Sequence, residues 1–310
     1  MRVVESLNAA LHGLMRDIPA MRVIGEDLLD PYGGAFKVTA GLSTAFPDRV
    51  LTTPISEAGL VGVATGLALR GKPAVAEIMF GDFLTLAMDQ LLNHATKFAW
   101  MFGQGVAVPL VVRTPMGGGR GYGPTHSQSL EKHFCGIPGL TVMAVHQYGD
   151  PGRLLRDACA LGSPCLLVEN KVLYAKAMQD LPAAPARPDV AVVAYGAGVE
   201  QAVKAAAALT GEEVAVEVVA LTTLKPFPSA MVRAAARRAG RLVVVEEGSP
   251  GWDMAGECAK AVVDLGVRFR QVAGPDHPIP NSRSWEEVVL PGEAAITAAC
   301  VGLLTEGKPL

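Results

Sequence analysis

The first apolar residues of the chain recur at the spacing of a helix. They are Val4, Leu7, Leu11 and Leu14. This spacing predicts an amphipathic helix over residues 3–16, and the apolar run that follows predicts a short strand over 21–25. That strand ends in the acidic pair Glu26–Asp27. A helix over 57–70 is predicted to be rich in small residues, so another backbone can approach it closely, in a core or across an interface.

Further along, short apolar runs alternate with stretches of helical periodicity. In the first half the predicted strands are 74–78, 109–113, 140–145 and 165–169, and the remaining predicted helices lie near 40–46, 82–102 and 150–161. In the second half the predicted strands are 190–195, 214–221, 241–246 and 267–272, and the predicted helices are 199–209, 229–239, 252–265 and 292–305. Apolar strands that alternate with helices predict mostly parallel sheets with both faces covered.

A Pro- and Ala-rich segment without periodicity separates the two halves. It covers residues 176–189 and predicts an interdomain linker. The predicted fold class is therefore α/β, with one domain over 1–175 and a second over 190–310.

Composition narrows the class of protein. Hydrophobic residues make up 50% of the chain and charged residues 18%, which is typical of folded domains. The net charge is −3, which argues against nucleic-acid binding, because phosphate contacts need a basic surface. The first residues lack the pattern of a signal peptide or membrane anchor. Five scattered cysteines without a C-x-x-C pair indicate reduced thiols, so we expect a cytoplasmic protein without membrane or nucleic-acid partners.

The chain does not carry the common dinucleotide-binding fingerprint in full. Gly196-Ala-Gly198 follows a predicted strand, but Gln201 stands where the dinucleotide fingerprint needs a small residue, which favours a plain strand–helix turn. The glycine-rich run Gly117–Gly123 follows the predicted strand 109–113. It therefore leaves the carboxyl edge of the sheet, where open α/β sheets bind ligands. A flexible surface loop is the alternative interpretation of these glycines.

Three further candidates are predicted to lie at that same edge of the sheet. Glu57 begins the small-residue helix, where a carboxylate also suits the helix dipole without any chemistry. Phe80 and Phe83 follow the predicted strand 74–78 and could equally be core residues. His126 lies in a polar loop just after the glycine run, a context that favours chemistry over packing.

A set of ordered motifs resembles one family over nearly the whole chain. The first-half motifs are GED (25–27), GGAFKVTAGL (33–42), TPISEAG (53–59), AEIMFGDF (76–83), DQLLNHATK (89–97), RTPMGGG (113–119), HSQS (126–129), PGLTV (138–142) and VENKVLY (168–174). The second-half motifs are LTTLKPFP (221–228), VVVEEG (243–248) and GPDHPIP (274–280). Together they resemble the beta subunit of thiamine-diphosphate-dependent 2-oxoacid dehydrogenases of the pyruvate, branched-chain and acetoin type.

The resemblance implies a pyrimidine-binding domain followed by a transketolase C-terminal-like domain. It also implies that thiamine diphosphate is shared with an alpha subunit in an α2β2 heterotetramer. In such enzymes the alpha subunit holds the diphosphate and Mg²⁺ through a Gly-Asp-Gly motif, which this chain lacks. The absence fits the beta-subunit interpretation.

The resemblance also implies roles for individual residues. Glu57 would hydrogen-bond the pyrimidine ring of the cofactor and act in catalysis. Phe83 would stack on that ring, and Met79 and Ile55 would line its pocket. His126 would act on the substrate-derived group, and Glu26 would lie in a polar channel between paired active sites. A structural K⁺ would be held by backbone carbonyls, and the matching positions are Leu110, Ala158, Cys159, Leu161 and Ser163.

The chain differs from the usual sequence of the family in segments that bear on which substrate is used. They fall at 120–125, 130–134, 147–150 and 281–284. The leading interpretation is a 2-oxoacid dehydrogenase beta subunit that passes an acyl unit to a lipoyl-bearing acyltransferase. The alternative is a split transketolase-like carboligase that transfers a ketol or acyl unit to another carbonyl compound. A regulatory or scaffold relative is disfavoured because Glu57, Phe83 and His126 are all present.

Overall fold

Two sheets organise the chain, which the computed structural model describes over residues 1–103 and 105–305. The strands are β1 (Arg22–Gly25), β2 (Val50–Thr52), β3 (Ala74–Glu77), β4 (Leu110–Met116), β5 (Thr141–Ala144), β6 (Cys165–Asn170), β7 (Val190–Tyr195), β8 (Val216–Leu221), β9 (Thr223–Lys225), β10 (Arg241–Glu246) and β11 (Arg268–Ala273). The α-helices are α1 (Val3–Asp17), α2 (Leu42–Ala45), α3 (Glu57–Leu69), α4 (Phe98–Met101), α5 (Lys132–Cys135), α6 (Pro151–Ala160), α7 (Gly198–Thr210), α8 (Ser229–Ala239), α9 (Met254–Val262), α10 (Arg283–Val289) and α11 (Glu293–Thr305).

The first sheet has seven strands in the order β2-β1-β3-β4-β6-β5-β9, and the second has four in the order β11-β10-β7-β8. All pairings are parallel except that of β9, which runs antiparallel to β5. The predicted α/β class with mostly parallel sheets is confirmed. Because β9 comes from the second half of the chain, it also ties that half to the edge of the first sheet.

Most predicted elements form within one or two residues of their predicted bounds. The predicted helix over 82–102 is wrong as a single helix, since it divides into a 3₁₀ segment (Gly81–Ala87), a π-helical segment (Gln90–Ala95) and α4. Hydroxyl groups take part in this division. Thr85 Oγ1 donates to the Asp82 carbonyl at 3.0 Å and Thr96 Oγ1 donates to the Leu91 carbonyl at 2.9 Å. Such side-chain bonds compete with the regular backbone pattern of an α-helix.

The segment predicted as a linker is fastened to the first half of the chain. The backbone N–H of Met178 donates to the carbonyl of Met1, and that of Gln179 donates to Gln147, both at 2.9 Å. One hydrophobic cluster contains side chains from both halves, among them Val142 and Leu224. The proposed domain boundaries stay a prediction, and residues 306–310 of the second domain lie outside the described residues.

The small-residue helix α3 presents two different faces. Leu60, Val61 and Ala64 are buried in the first-half core. On another face, Val63 is 53% exposed, and a Cβ added at Gly66 would meet nothing within 4 Å. The face around Gly66 is therefore uncovered in the isolated chain.

The stretch from Arg283 to Thr305 is apolar and long enough to cross a membrane when judged by length and composition alone. The structure divides it into α10 and α11, with Pro291 between them. Helix α11 packs on α7, β10 and β11, and its buried residues are Ile296, Ala299, Cys300 and Leu303. It is a packing helix of the second half.

Candidate functional site

The carboxyl ends of the central strands lie side by side in the first sheet. Gly25 of β1 pairs with Glu77 of β3, and Glu77 pairs with Arg113 of β4. Because parallel strands share one direction, the segments that follow them emerge at the same edge. The register therefore brings the segments that carry Glu26, Met79, Phe83 and His126 to one edge of the sheet.

Glu57 and Glu26 form a buried carboxylate pair at this edge. Glu57 is 5% exposed and Glu26 is 6% exposed. The hydroxyl of Ser56 accepts from Gly59 N–H at 3.3 Å, which caps α3 and fixes Glu57 as its first residue. Glu26 accepts a hydrogen bond from Ser56 N–H at 3.3 Å. Burial, and next the Glu57 carboxylate, raise the pKa of Glu26.

The Glu57 carboxylate retains free hydrogen-bonding capacity. Within residues 1–103 and 105–305, no group donates a hydrogen bond to it. A buried carboxylate is costly without donors, so an open one at a sheet edge is suited to receiving a donor from a ligand.

His126 packs between two phenylalanine rings. Its ring centroid lies 4.9 Å from that of Phe80 and 5.2 Å from that of Phe83, and both contacts are edge-to-face. Thr125 Oγ1 lies 3.0 Å from His126 Nδ1. The 3₁₀ segment that carries Phe83 packs against α3, the helix that begins with Glu57. The structure therefore brings His126 and Phe83 together, next to the helix of Glu57.

The other two predicted cofactor contacts differ in exposure. Met79 is half-buried at the end of β3. Ile55 is 83% exposed, so within this chain it lines no enclosed pocket.

A fully buried ionic cluster underlies the edge. Arg113 donates to Glu169 through Nε at 2.9 Å and through Nη2 at 2.6 Å, and it also donates to Glu77. Tyr174 donates its hydroxyl proton to Glu169 at 2.6 Å. Burial raises the pKa of Glu77, while the neighbouring Arg113 guanidinium opposes that rise. The cluster links the middle of β4 to the ends of β3 and β6.

Two carboxylates of the second half hold the glycine-rich loop. Glu247, just after β10, accepts from Gly118 N–H and from Asn170 Nδ2, the latter at 2.9 Å. Glu286 of α10 accepts from Gly121 N–H at 2.7 Å. The loop is thus bound across the two halves and is not a free surface loop.

Sequence reasoning missed the buried polar residues behind the site. They are Glu77, Asp82, Arg113, Glu169, Lys171, Tyr174 and Glu286, together with the half-buried Glu247. Most of them end or follow apolar strands, and that position is the one signal by which they could have been found.

The predicted K⁺ positions come from two neighbouring segments. Leu110 opens β4, whereas Ala158 and Cys159 belong to the last turn of α6, with Leu161 and Ser163 in the turn after it. Val108 N–H donates to the Gly162 carbonyl at 3.1 Å, so the two segments touch. The ion itself stays a prediction.

Side chains of the metal-binding type are dispersed. In the described part of the chain, no group of three or more His, Cys, Asp or Glu residues is placed to hold a metal ion. All five cysteines are free, as predicted.

Two known domain families match the chain, one in each half of the fold. Residues 1–176 match the pyrimidine-binding domain of transketolase, and residues 183–296 match the transketolase C-terminal domain.

Similar proteins are found in bacteria and plants. The chain is 34% identical to the acetoin:2,6-dichlorophenolindophenol oxidoreductase subunit beta of Cupriavidus necator, over 98% of this chain and 97% of that protein. It is 34% identical to the mitochondrial pyruvate dehydrogenase E1 component subunit beta-1 of Arabidopsis thaliana, over 94% of this chain and 86% of that protein.

A solved structure shares the fold at lower identity. It is a split-gene transketolase described as an inactive beta4 tetramer, with a TM-score of 0.78, 20% identity and 99% coverage of both chains. The sequence relatives are similar over nearly the whole chain, and both domain families match in the same order. The chain therefore belongs to the family of beta subunits of thiamine-diphosphate-dependent 2-oxoacid dehydrogenases, within the transketolase-like proteins.

Proposed function

We propose that this chain provides the pyrimidine-binding half of an active site that decarboxylates a 2-oxoacid, and that it does so with an alpha subunit in a cytoplasmic α2β2 heterotetramer. The observation that carries the proposal is the juxtaposition at one sheet edge of a buried, open carboxylate and an aromatic wall with a histidine. These are Glu57, Phe83 and His126.

The residues present fit a flat heterocyclic cofactor. Glu57 offers a carboxyl group with no donor from the described part of this chain, as an aminopyrimidine ring requires for a hydrogen bond to its nitrogen. Phe83 offers an aromatic surface for stacking. Met79 would add apolar contact from the end of β3, and Ile55 would do so from a position exposed in the isolated chain.

When bound, thiamine diphosphate supplies a nucleophilic carbon and an electron sink for breaking the bond to the substrate carboxylate. Glu57 holds and exchanges a proton at the pyrimidine nitrogen. His126, steadied by Phe80 and Phe83, orients the substrate-derived group and moves a proton to or from it. Glu26, whose pKa is raised by burial, extends the acidic site toward a paired one.

The overall reaction releases CO₂ from the 2-oxoacid and transfers the acyl unit to a lipoyl carrier. The carrier's disulfide is reduced as one sulfur takes the acyl group and the other takes a proton. We assign Mg²⁺ and the diphosphate to the alpha subunit, since this chain has no Gly-Asp-Gly motif. A lipoyl-bearing acyltransferase is the proposed acceptor partner.

The proposed alpha-subunit contact is supported by the uncovered face of α3. An exposed glycine such as Gly66 admits close approach of another backbone, and the exposed Val63 beside it offers apolar surface that a partner could bury. A structural K⁺ at the carbonyls of Leu110, Ala158, Cys159, Leu161 and Ser163 completes the proposal, supported by the contact between the two segments. A higher melting temperature in K⁺ than in Na⁺ would support that ion, and equal values would contradict it.

The test is an assay of the reconstituted pair against a panel of 2-oxoacids and ketoses. We expect CO₂ release from at least one 2-oxoacid with an artificial electron acceptor, and loss of that release in the Glu57→Gln variant. Cleavage of a ketose without consumption of any 2-oxoacid would instead favour the carboligase alternative and overturn the proposal.

A further inference from the structure

Lys171 is a buried cation at the centre of the polar edge. It directly follows β6 and is 1% exposed. Its Nζ makes no hydrogen bond to any residue of the described chain, and it lies 5.8 Å from the centroid of the Phe80 ring. A buried ammonium group without a hydrogen-bond partner is costly, so its position needs a compensating charge environment.

Three carboxylates provide that environment. The carboxylates of Asp82, Glu247 and Glu286 stabilise the charged form of Lys171, whereas the Arg120 guanidinium destabilises it. Asp82 belongs to the first half of the chain, whereas Glu247 and Glu286 belong to the second. Two carboxylate oxygens in this set, Asp82 Oδ2 and Glu286 Oε1, are buried and also have no hydrogen-bond partner within the described residues.

Each of the three carboxylates holds the loop that carries His126. Asp82 Oδ1 accepts from the side-chain amide of Gln128 at 2.8 Å and from its backbone N–H at 3.3 Å. Glu247 accepts from Gly118 N–H, and Glu286 accepts from Gly121 N–H. The base of the loop closes where Gly117 N–H donates to the Gln128 carbonyl at 3.0 Å.

The loop fits this clamp because glycine occupies its close contacts. Gly117 has a φ of +82°, and a Cβ there would collide with the amide of Asn170. The loop therefore approaches the strand ends and the second half of the chain more closely than other residues allow.

We propose that Lys171 is a positioning residue that fixes the His126 loop between the two halves of the chain. Its charge offsets the mutual repulsion of Asp82, Glu247 and Glu286, so that all three remain as acceptors for the loop. Its ammonium group also supports the Phe80 ring, on which His126 packs. This role deepens the proposed function and rests on it for the chemistry of His126.

The protonation of Lys171 agrees with this role. Burial lowers its pKa to about 8, while the carboxylates of Asp82, Glu247 and Glu286 oppose that fall and Arg120 adds to it. The ammonium form therefore predominates at neutral pH and is lost in mildly alkaline solution.

The direct test is hydrogen exchange of the full chain in complex with its alpha subunit. In Lys171→Met, we expect the amides of the loop peptide 117–125 to exchange at least about tenfold faster, since repelling carboxylates loosen the clamp. Exchange in β10 should stay unchanged. The matched control is Lys72→Met at an exposed lysine, for which no change is expected.

A second variant tests the charge coupling. In Lys171→Met/Glu286→Gln, one repelling charge is removed while an acceptor for Gly121 remains, so loop exchange should return to within about threefold of wild type. If Lys171→Met fails to fold, Glu286→Gln alone should still speed exchange in the loop peptide, because with Lys171 present this change removes an attractive partner of the ammonium group. Unchanged loop exchange, equal acceleration in β10, or lack of rescue would each overturn the proposal.

Kinetics then separate positioning from substrate binding. We expect Lys171→Met to lower kcat about tenfold with KM within about threefold of wild type. A loosened loop with unchanged kcat would overturn the link to His126. The exchange experiment needs no substrate, so it remains decisive even if the wild-type pair converts no 2-oxoacid.

Discussion

The carboxyl edges of the two sheets differ in how many of their buried polar groups are hydrogen-bonded. At the second sheet, Glu246 accepts from the N–H groups of Met254 and Ala255 at 3.0 and 3.2 Å and from Gln271 Nε2 at 2.8 Å. At the first sheet, several buried polar atoms have no hydrogen-bond partner in the described chain. Those that follow its strands belong to Thr53, Asp82, Arg120, Ser127, His146, Gln147 and Lys171.

The difference separates a structural edge from a functional one. Every residue with such a partnerless buried atom lies in the first half of the described chain except Glu286, which itself holds the first-half loop through Gly121. Native proteins leave few buried polar groups unpaired, so a concentration of them indicates places for water, substrate or cofactor. At the second edge, the Glu246 carboxylate is occupied in capping α9.

The largest expected effect comes from a carboxylate of the first edge. Glu57→Gln should lower turnover of the reconstituted enzyme at least about 10²-fold, because a positioned acid–base group is lost. Steady-state assay of CO₂ release measures this. The control is Glu246→Gln at the second edge, which should leave turnover per folded enzyme unchanged. Near-wild-type turnover in Glu57→Gln would remove Glu57 from the mechanism.

His126→Ala should lower overall substrate conversion about 10²-fold, since a proton-transfer group beside the substrate is lost. Proton exchange at the thiazolium carbon of the bound cofactor should survive, because His126 acts on the substrate-derived group. Deuterium exchange followed by NMR distinguishes the two steps, with the exposed His277→Ala as control. An equal collapse of both would show that His126 shapes the cofactor site instead.

The uncovered face of α3 gives a prediction about assembly. Gly66→Leu should weaken association with the alpha subunit at least about tenfold, because a side chain would fill the space of close backbone approach. The isolated chain should keep its fold, since a Cβ there meets nothing within 4 Å. Analytical ultracentrifugation measures association, and Ala208→Leu on α7 is the control. Unchanged assembly would mean that the alpha subunit binds elsewhere.

His146 gives the smallest predicted effect and a pH dependence. It is 6% exposed, both ring nitrogens have no partner in the described chain, and burial lowers its pKa to about 4. The unfolded state therefore binds a proton first as the pH falls below 6.5, so stability is lost between pH 6.5 and 4. His146→Leu should remove this loss, a relative gain of about 1 kcal/mol at pH 5.5. Denaturation curves at pH 7.5 and 5.5 measure it, and parallel behaviour of both proteins would contradict it.

The sequence predicted the fold well because periodicity reports burial directly. Strands such as β10 and helices such as α8 have the predicted bounds. The short strand β2 and helix α10 were missed because neither is long enough to show a period. Strand β9 was missed because its pairing with β5 depends on how the second half packs against the first.

Residues of the site were predicted unevenly. Family motifs indicated Glu57, Phe83 and His126, and the structure places Phe83 and His126 in contact. The clamp formed by Asp82, Glu247 and Glu286 around Lys171 was not predicted. Its members are more than 200 residues apart from end to end, and only tertiary packing brings them together.

We infer that the first edge is one half of a site that another subunit completes. Isothermal titration calorimetry of thiamine diphosphate with Mg²⁺ tests it most directly, on the chain alone and on the reconstituted pair. We expect weak binding and no turnover for the chain alone, and tight, magnesium-dependent binding for the pair. Tight magnesium-dependent binding with turnover by the chain alone would contradict it.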